Sequence, residues 1–212
     1  MTHAPGRIFG LIAGLFLLGA LFGGCTSARS DKPLPLEKAT FSGSASQLQI
    51  DLPGRRNAVT QPLPVAPEAA PFVRDATRFD TERQDGLQLV CAAVHFDNAA
   101  IAGRLGAPGT PARQNFYAAF QESALSAFIA AFQSSDAAPD IQQSRETLPV
   151  NGRDLVVLSV DYTSAFKTPG RFKTVLVPDD TETWIITLLY NANDKMLAEQ
   201  IDRIIQSIRL IT

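Results

Sequence analysis

Residues 141–190 read IQQSRETLPVNGRDLVVLSVDYTSAFKTPGRFKTVLVPDDTETWIITLLY, and the spacing of turn residues within them decides the fold. Four runs of strand length, Ile141 to Leu148, Leu155 to Thr163, Arg171 to Val177 and Glu182 to Tyr190, are separated by Val150-Asn151-Gly152-Arg153, Thr168-Pro169-Gly170 and Pro178-Asp179-Asp180. Glycine and asparagine tolerate positive φ, and proline pre-sets the first turn dihedral. The separators therefore join the runs as hairpins, and the segment is an antiparallel meander.

Downstream, the chain from about Asp194 places Leu197, Ile201, Ile204, Ile205 and Ile208 on one helical face with Asp202, Arg203 and Gln206 opposite. Such an amphipathic helix, predicted over about 194–209, must dock on a sheet. Upstream, Thr110-Pro111 supplies an N-cap and a proline at the first helical position, and Phe116, Phe120, Phe128 and Phe132 follow at helical spacing to about Gln133. That phenylalanine stripe reads as sheet packing. Leu87 to Phe96 is a strand after the Asp85-Gly86 turn, with Thr77 to Arg83 as its hairpin partner, and Ser46 to Leu52 alternates Leu48, Ile50 and Leu52 with polar residues. Leu52 to Pro71, with five prolines, reads as a loop over the surface, and Gly103 to Gly109 as a second loop. The economical architecture is α+β: an antiparallel sheet of about six to seven strands covered by a central helix (about 111–133) and a C-terminal helix (about 194–209).

With 212 residues, 45% of them hydrophobic and 19% charged, the chain has room for one ordinary folded core. The expected division is a signal segment 1–24, a tether 25–40 and a single domain 41–212. Residues 1–24 carry Arg7 and no acid, so the remainder holds 18 basic and 21 acidic residues. Nothing in that balance offers a basic surface for phosphates, which argues against nucleic acid as a partner.

The first residues place Arg7 before an uncharged run of 17, Ile8 to Gly24, and then Cys25. A basic start, an apolar middle and small residues at its end are the parts of an export signal. As a helix the run reaches only about 26 Å, short of the ~30 Å hydrocarbon core, and its five glycines weaken it further as a permanent span. Leu21-Phe22-Gly23-Gly24-Cys25 resembles the lipobox of bacterial lipoproteins. Gly23, Gly24 and Cys25 match, whereas Phe22 stands where leucine is usual. The resemblance implies cleavage between Gly24 and Cys25 and a diacylglycerol thioether on Cys25. Two or three acyl chains hold a protein on a membrane where one does so only marginally. Thr26 after the cysteine, rather than aspartate, leans by the same resemblance toward the periplasmic face of the outer membrane. Ser27 to Lys38, with its serines, charges and Pro33-Leu34-Pro35, reads as the tether.

The order of elements also resembles the PsbP/DcrB/Mog1-like superfamily over roughly 41–210, through Val150-Asn151-Gly152-Arg153, the strand ending at Tyr190, and Ile204 to Ile208. That resemblance implies an α/β/α sandwich and an accessory or protein-binding role, with no shared catalytic residue to carry over.

Searching for chemistry gives no catalytic, cofactor or metal assignment. His3 leaves with the signal, so a serine triad would have to use His95, and no Gly-x-Ser-x-Gly elbow accompanies it. Cys91 sits among apolar neighbours and, on a strand, about 13 Å from His95, too far for a catalytic pair. Asp179, Asp180 and Glu182 cluster in a turn, where turn chemistry explains them. Two functions of different class follow. The first is a non-catalytic, lipid-anchored envelope module that binds a protein partner. The alternative is a small-ligand binder or cryptic hydrolase with a pocket near His95, using Tyr162 or Tyr190. Intact-mass and detergent-partition measurements on the mature protein are expected to show an acylated species beginning at Cys25; an unmodified, water-soluble chain would refute the anchor.

Overall fold

The computed structural model describes residues 34–65, 67, 69–133, 141–163 and 169–212, and side chains 127, 128 and 130–133 lie outside that set. The signal segment, Gly24, Cys25, residues 26–33 of the tether, Thr168 and the Phe128 and Phe132 side chains are thus outside the described residues.

Ten strands and three helices are described. In order they are β1 (Leu36–Ser42), β2 (Gln47–Pro53), β3 (Ala58–Pro62), β4 (Val73–Thr81), β5 (Gln88–Phe96), α1 (Asn98–Leu105) and α2 (Pro111–Gln133). The meander β6 (Ile141–Val150), β7 (Arg153–Thr163), β8 (Pro169–Val177) and β9 (Glu182–Asn191) follows, then α3 (Lys195–Ser207) and β10 (Arg209–Ile211). Seven strands form one antiparallel sheet in the order β3-β4-β5-β9-β8-β7-β6, and β1-β2-β10 form a second, smaller one. The expected α+β class and the seven-strand main sheet are both present.

The two hairpin signals act as their chemistry requires. Asp85 and Gly86 have φ of 50° and 78°, Asn151 and Gly152 have 49° and 80°, and two consecutive positive φ values match the right-handed twist of flanking strands. Alternation along the strands then sorts side chains to two faces. On one face Val90, Ala92, Val94, Phe96, Phe172, Leu176, Ile185 and Leu189 pack under Phe116, Phe120 and Leu125 of α2 and Ile101 of α1. Phe96 meets Phe116 and Phe120 edge-on at centroid distances of 5.9 and 5.1 Å. On the other face Leu89, Cys91, Ala93, Trp184, Ile186, Leu188 and Tyr190 pack under Leu197, Ile201, Ile204 and Ile205 of α3 and under Leu48, Ile50 and Leu52 of β2. Asp194 caps α3 by accepting from the Leu197 amide at 2.9 Å.

Four sequence expectations are corrected. The tether assigned to 25–40 ends earlier, because Leu36–Thr40 already belong to β1, paired with β2 from Leu36↔Pro53 onward. β1 buries only Phe41, so its alternation is too faint to read as a strand. The helix expected over about 194–209 stops at Ser207; Ile208 turns extended (ψ 127°), and Arg209–Ile211 pair with Gln47–Gln49 of β2. Ile208 sits at helical spacing in sequence yet reaches the same core from an extended backbone, which is why periodicity overran the boundary. The Leu52–Pro71 loop contains β3, an edge strand whose five residues are all exposed and show no buried face. The loop assigned to Gly103–Gly109 is helical up to Leu105, capped by Asp97 and closed at Gly106, and its single buried residue, Ile101, gave no period.

Removing buried volume beneath α3 should cost far more than trimming its solvent face. Ile201→Ala is expected to destabilise the domain by about 2–5 kcal/mol in urea unfolding, and Met196→Ala, 41% exposed, by less than about 0.5 kcal/mol.

Candidate functional site

The residues picked out by sequence do not assemble. His95 lies at the end of β5 opposite Glu182 of β9, and Asp75 of β4 lies opposite His95 on its other side. Tyr190 is eight residues further along β9, roughly 26 Å at strand rise. Tyr162 belongs to the opposite face, against Phe172, with its ring over cross-strand Gly170. A Cβ on Gly170 would meet that ring well inside van der Waals contact.

Around His95 the polar groups hold one another. His95 Nδ1 stands 3.0 Å from Asp75 Oδ2, and Ser44 Oγ donates to Asp75 Oδ1 at 2.6 Å. A serine relay would need the hydroxyl on the imidazole rather than on the carboxylate. Glu182, 1% exposed, accepts from the Ser44 amide at 2.8 Å, the Ala45 amide at 3.3 Å and Ser46 Oγ at 2.6 Å, and Ser46 Oγ accepts from Trp184 Nε1 at 2.8 Å. The turn between β1 and β2 is thereby fastened onto the main sheet through a buried, fully bonded carboxylate. Gly43 is required there, since a side chain would collide with the Glu182 carboxylate. Asp179 accepts from the Thr181 amide at 2.9 Å and pairs with Arg153 at 3.1 Å, so the acidic residues of that turn face different partners.

The thiol that the sequence singles out is withdrawn from solvent. Cys91 is fully buried, and burial, with Asp80 as a smaller contribution, pushes its thiol well above the usual range. Arg56 is pushed down to about 10 by burial and donates to the carbonyls of Glu82, Gln84 and Leu87 at 3.2, 3.1 and 3.0 Å, clamping the Asp85-Gly86 hairpin. Arg113 lies over the Tyr117 ring, 5.7 Å from its centroid, and donates to Asn98 Oδ1 at 2.7 Å.

What the structure does bring together is a groove of about 580 Å³, lined by Gln49, residues 150, 151, 153 and 155 of the β6–β7 hairpin, Val177, and residues 208–211. Its floor is aliphatic: Val150, Leu155, Val177 and Ile208 are all buried. Its rim is polar, formed by Gln49, Asn151, Arg153 and Arg209. Asn151 fixes the geometry by donating to the Ile208 carbonyl at 2.8 Å, tying the hairpin tip to the end of α3. Sequence reading missed this site because residues 208–211 line it from an extended backbone, whereas the helix expected over about 194–209 runs through Ile208 and Arg209 and no strand is expected after it. The Asn-Gly hairpin was legible, but its neighbour in space was not.

The chain is thus a mixed α+β protein built on antiparallel sheets. No family model and no curated protein matches it. Among solved structures it is similar to cyanobacterial PsbP (CyanoP) from Synechocystis sp. PCC 6803, with 14% identity, 90% of this chain and 100% of that one covered, and a TM-score of 0.45. It is also similar to LpqN of Mycobacterium tuberculosis, a protein involved in cell envelope biogenesis (13%, 84% and 92%, TM-score 0.38), and to PA94 of Pseudomonas aeruginosa, of unknown function (12%, 80% and 94%, TM-score 0.33). These are likenesses and assign no role to any residue here.

The three tyrosines give a test of burial on both faces. Tyr117, Tyr162 and Tyr190 are all raised above the ordinary value of 10, in each case chiefly by burial, with Arg113, Arg83 and Arg171 respectively opposing. A phenol held protonated by folding contributes stability that is complete below about 10 and is lost as pH rises through the folded values. Native protein is therefore expected to show no phenolate absorbance transition at 10, urea-unfolded protein to show all three there, and the urea midpoint to fall as pH is raised past 10. A native tyrosine ionising at its ordinary value would contradict the packing.

Proposed function

We propose that this chain is an envelope lipoprotein, anchored through acyl chains on Cys25, whose domain acts as a non-catalytic accessory module by binding a protein partner outside the cytoplasm. The observation that carries this reading is the composition of the groove. Its lining holds aliphatic side chains, two amides and two guanidinium groups, and no serine, cysteine, histidine, lysine or carboxylate. Such a surface can hold an apolar side chain and orient polar ones, but it has no group to attack a substrate or to move a proton near neutral pH. The Leu21 to Cys25 sequence supports the anchor. No helix among the described residues is long and apolar enough to cross a membrane, so in this reading attachment falls to the N-terminus.

Co-purification from detergent-solubilised envelopes tests both halves. The wild-type chain is expected to retain a stoichiometric protein partner, and Cys25→Ala to lose it through release from the membrane while keeping its thermal midpoint. Absence of an enriched partner from wild type, together with turnover in a broad hydrolase screen, would reverse the assignment.

A further inference from the structure

Strand β10 is paired along one edge only. Arg209, Leu210 and Ile211 face Gln49, Leu48 and Gln47 of β2, and among the described residues no further strand pairs with β10. All three residues of β10 line the groove, together with Val150, Asn151, Arg153 and Leu155 of the β6–β7 hairpin. An unpaired strand edge presents backbone donors and acceptors in a row, ready to pair with an extended chain. The same groove has the aliphatic floor, and its lining includes Ile211, 44% exposed and one of three large hydrophobic residues exposed among the described residues. The charged residues of the lining are Arg153 and Arg209, with no acid among them. Arg153 shares its charge with Asp179, whereas Arg209 makes no ion pair among the described residues.

We infer that this groove is a docking site for an extended, acidic peptide segment of a partner protein, which adds as a fourth strand beside β10. This rests on the accessory reading above and names its surface and its ligand chemistry. The three-residue edge spans about 10 Å, so the motif read is short. Alternation sends every second side chain to the floor and leaves the others on the rim. An apolar residue then fills the space between Leu155, Val177 and Leu210, and a carboxylate flanking it meets Arg209. Arginine suits this task, since its planar fork bonds a carboxylate through two parallel N–H groups.

The test uses the full chain in detergent with fluorescein-labelled eight-residue peptides, one alternating valine and glutamate and one alternating valine and lysine, followed by anisotropy. The glutamate peptide is expected to bind, with affinity falling as salt rises and by about tenfold or more for Arg209→Glu. The lysine peptide should not bind. Methylating alternate backbone amides of the glutamate peptide should abolish binding without touching the protein, so a poorly folded variant cannot imitate the result. Equal binding of the methylated or the lysine peptide, or none by the glutamate peptide, would overturn the inference. So would a dimer that dissociates on Ile211→Asp, which would give the edge to a second copy of the chain. If an envelope partner co-purifies equally with wild type and Arg209→Glu, the accessory reading survives and this groove does not. If the peptide binds as described but no envelope partner is found and the chain turns over a hydrolase substrate, the groove stands and the accessory reading falls.

Discussion

Nine of the ten residues of β9, Glu182 to Tyr190, are buried, and the strand is fourth of seven in its sheet. A strand with no solvent face needs a cover on each side, and the rest of the molecule follows from supplying the two. Ile185 and Leu189 look toward α2, while Trp184, Ile186, Leu188 and Tyr190 look toward α3. A helix alone is too narrow to screen a seven-stranded sheet. On the α3 side the shortfall is made up by β1 and β2, which bring Phe41, Leu48, Ile50 and Leu52 onto the same core, and by Leu210 of β10, which packs against it. On the α2 side α1 and the segment around Leu63 and Ala69 do the same.

The small sheet sits on the large one through apolar contact, which is not directional. Its position is fixed by polar bonds at two corners. At one, the buried Glu182 carboxylate collects the Ser44 and Ala45 amides and the Ser46 hydroxyl. At the other, the Asn151 amide grips the Ile208 carbonyl, and Ser207 Oγ accepts from the Asp51 amide at 2.8 Å. An unpaired buried carboxylate would be costly, so Glu182 enforces the register of the β1–β2 turn against it. Its cross-strand neighbour His95 is drawn into the same arrangement through Asp75 and Ser44.

The parts legible in sequence are those where local chemistry and tertiary packing agree. Asn151-Gly152 and Asp85-Gly86 are turns by backbone preference alone, and the strands and helices that bury a full face carry their period openly. What escaped notice was low in burial. β3 buries nothing, β1 buries Phe41, α1 buries Ile101, and each therefore lacks the alternation or the period that reveals an element. β10 failed for the opposite reason, because Ile208 satisfies the helix period of α3 while the backbone leaves the helix one residue before it. The groove inherits that ambiguity, since it lies between a hairpin read correctly and a strand not read at all.

This division also bears on how the domain works. Cys91 under β2 and α3, Ser46 between Glu182 and Trp184, and His95 against Asp75 are each committed to contacts that hold the layers together. The surface that remains available at the β10 edge carries only aliphatic, amide and guanidinium groups. A β10 of three residues leaves an edge too short to template long sheets, which limits the hazard that an open edge carries. In the docking proposed above, those three residues would pair only a short segment. A groove with that lining offers shape and charge to an occupant, and neither a nucleophile nor a carboxylate.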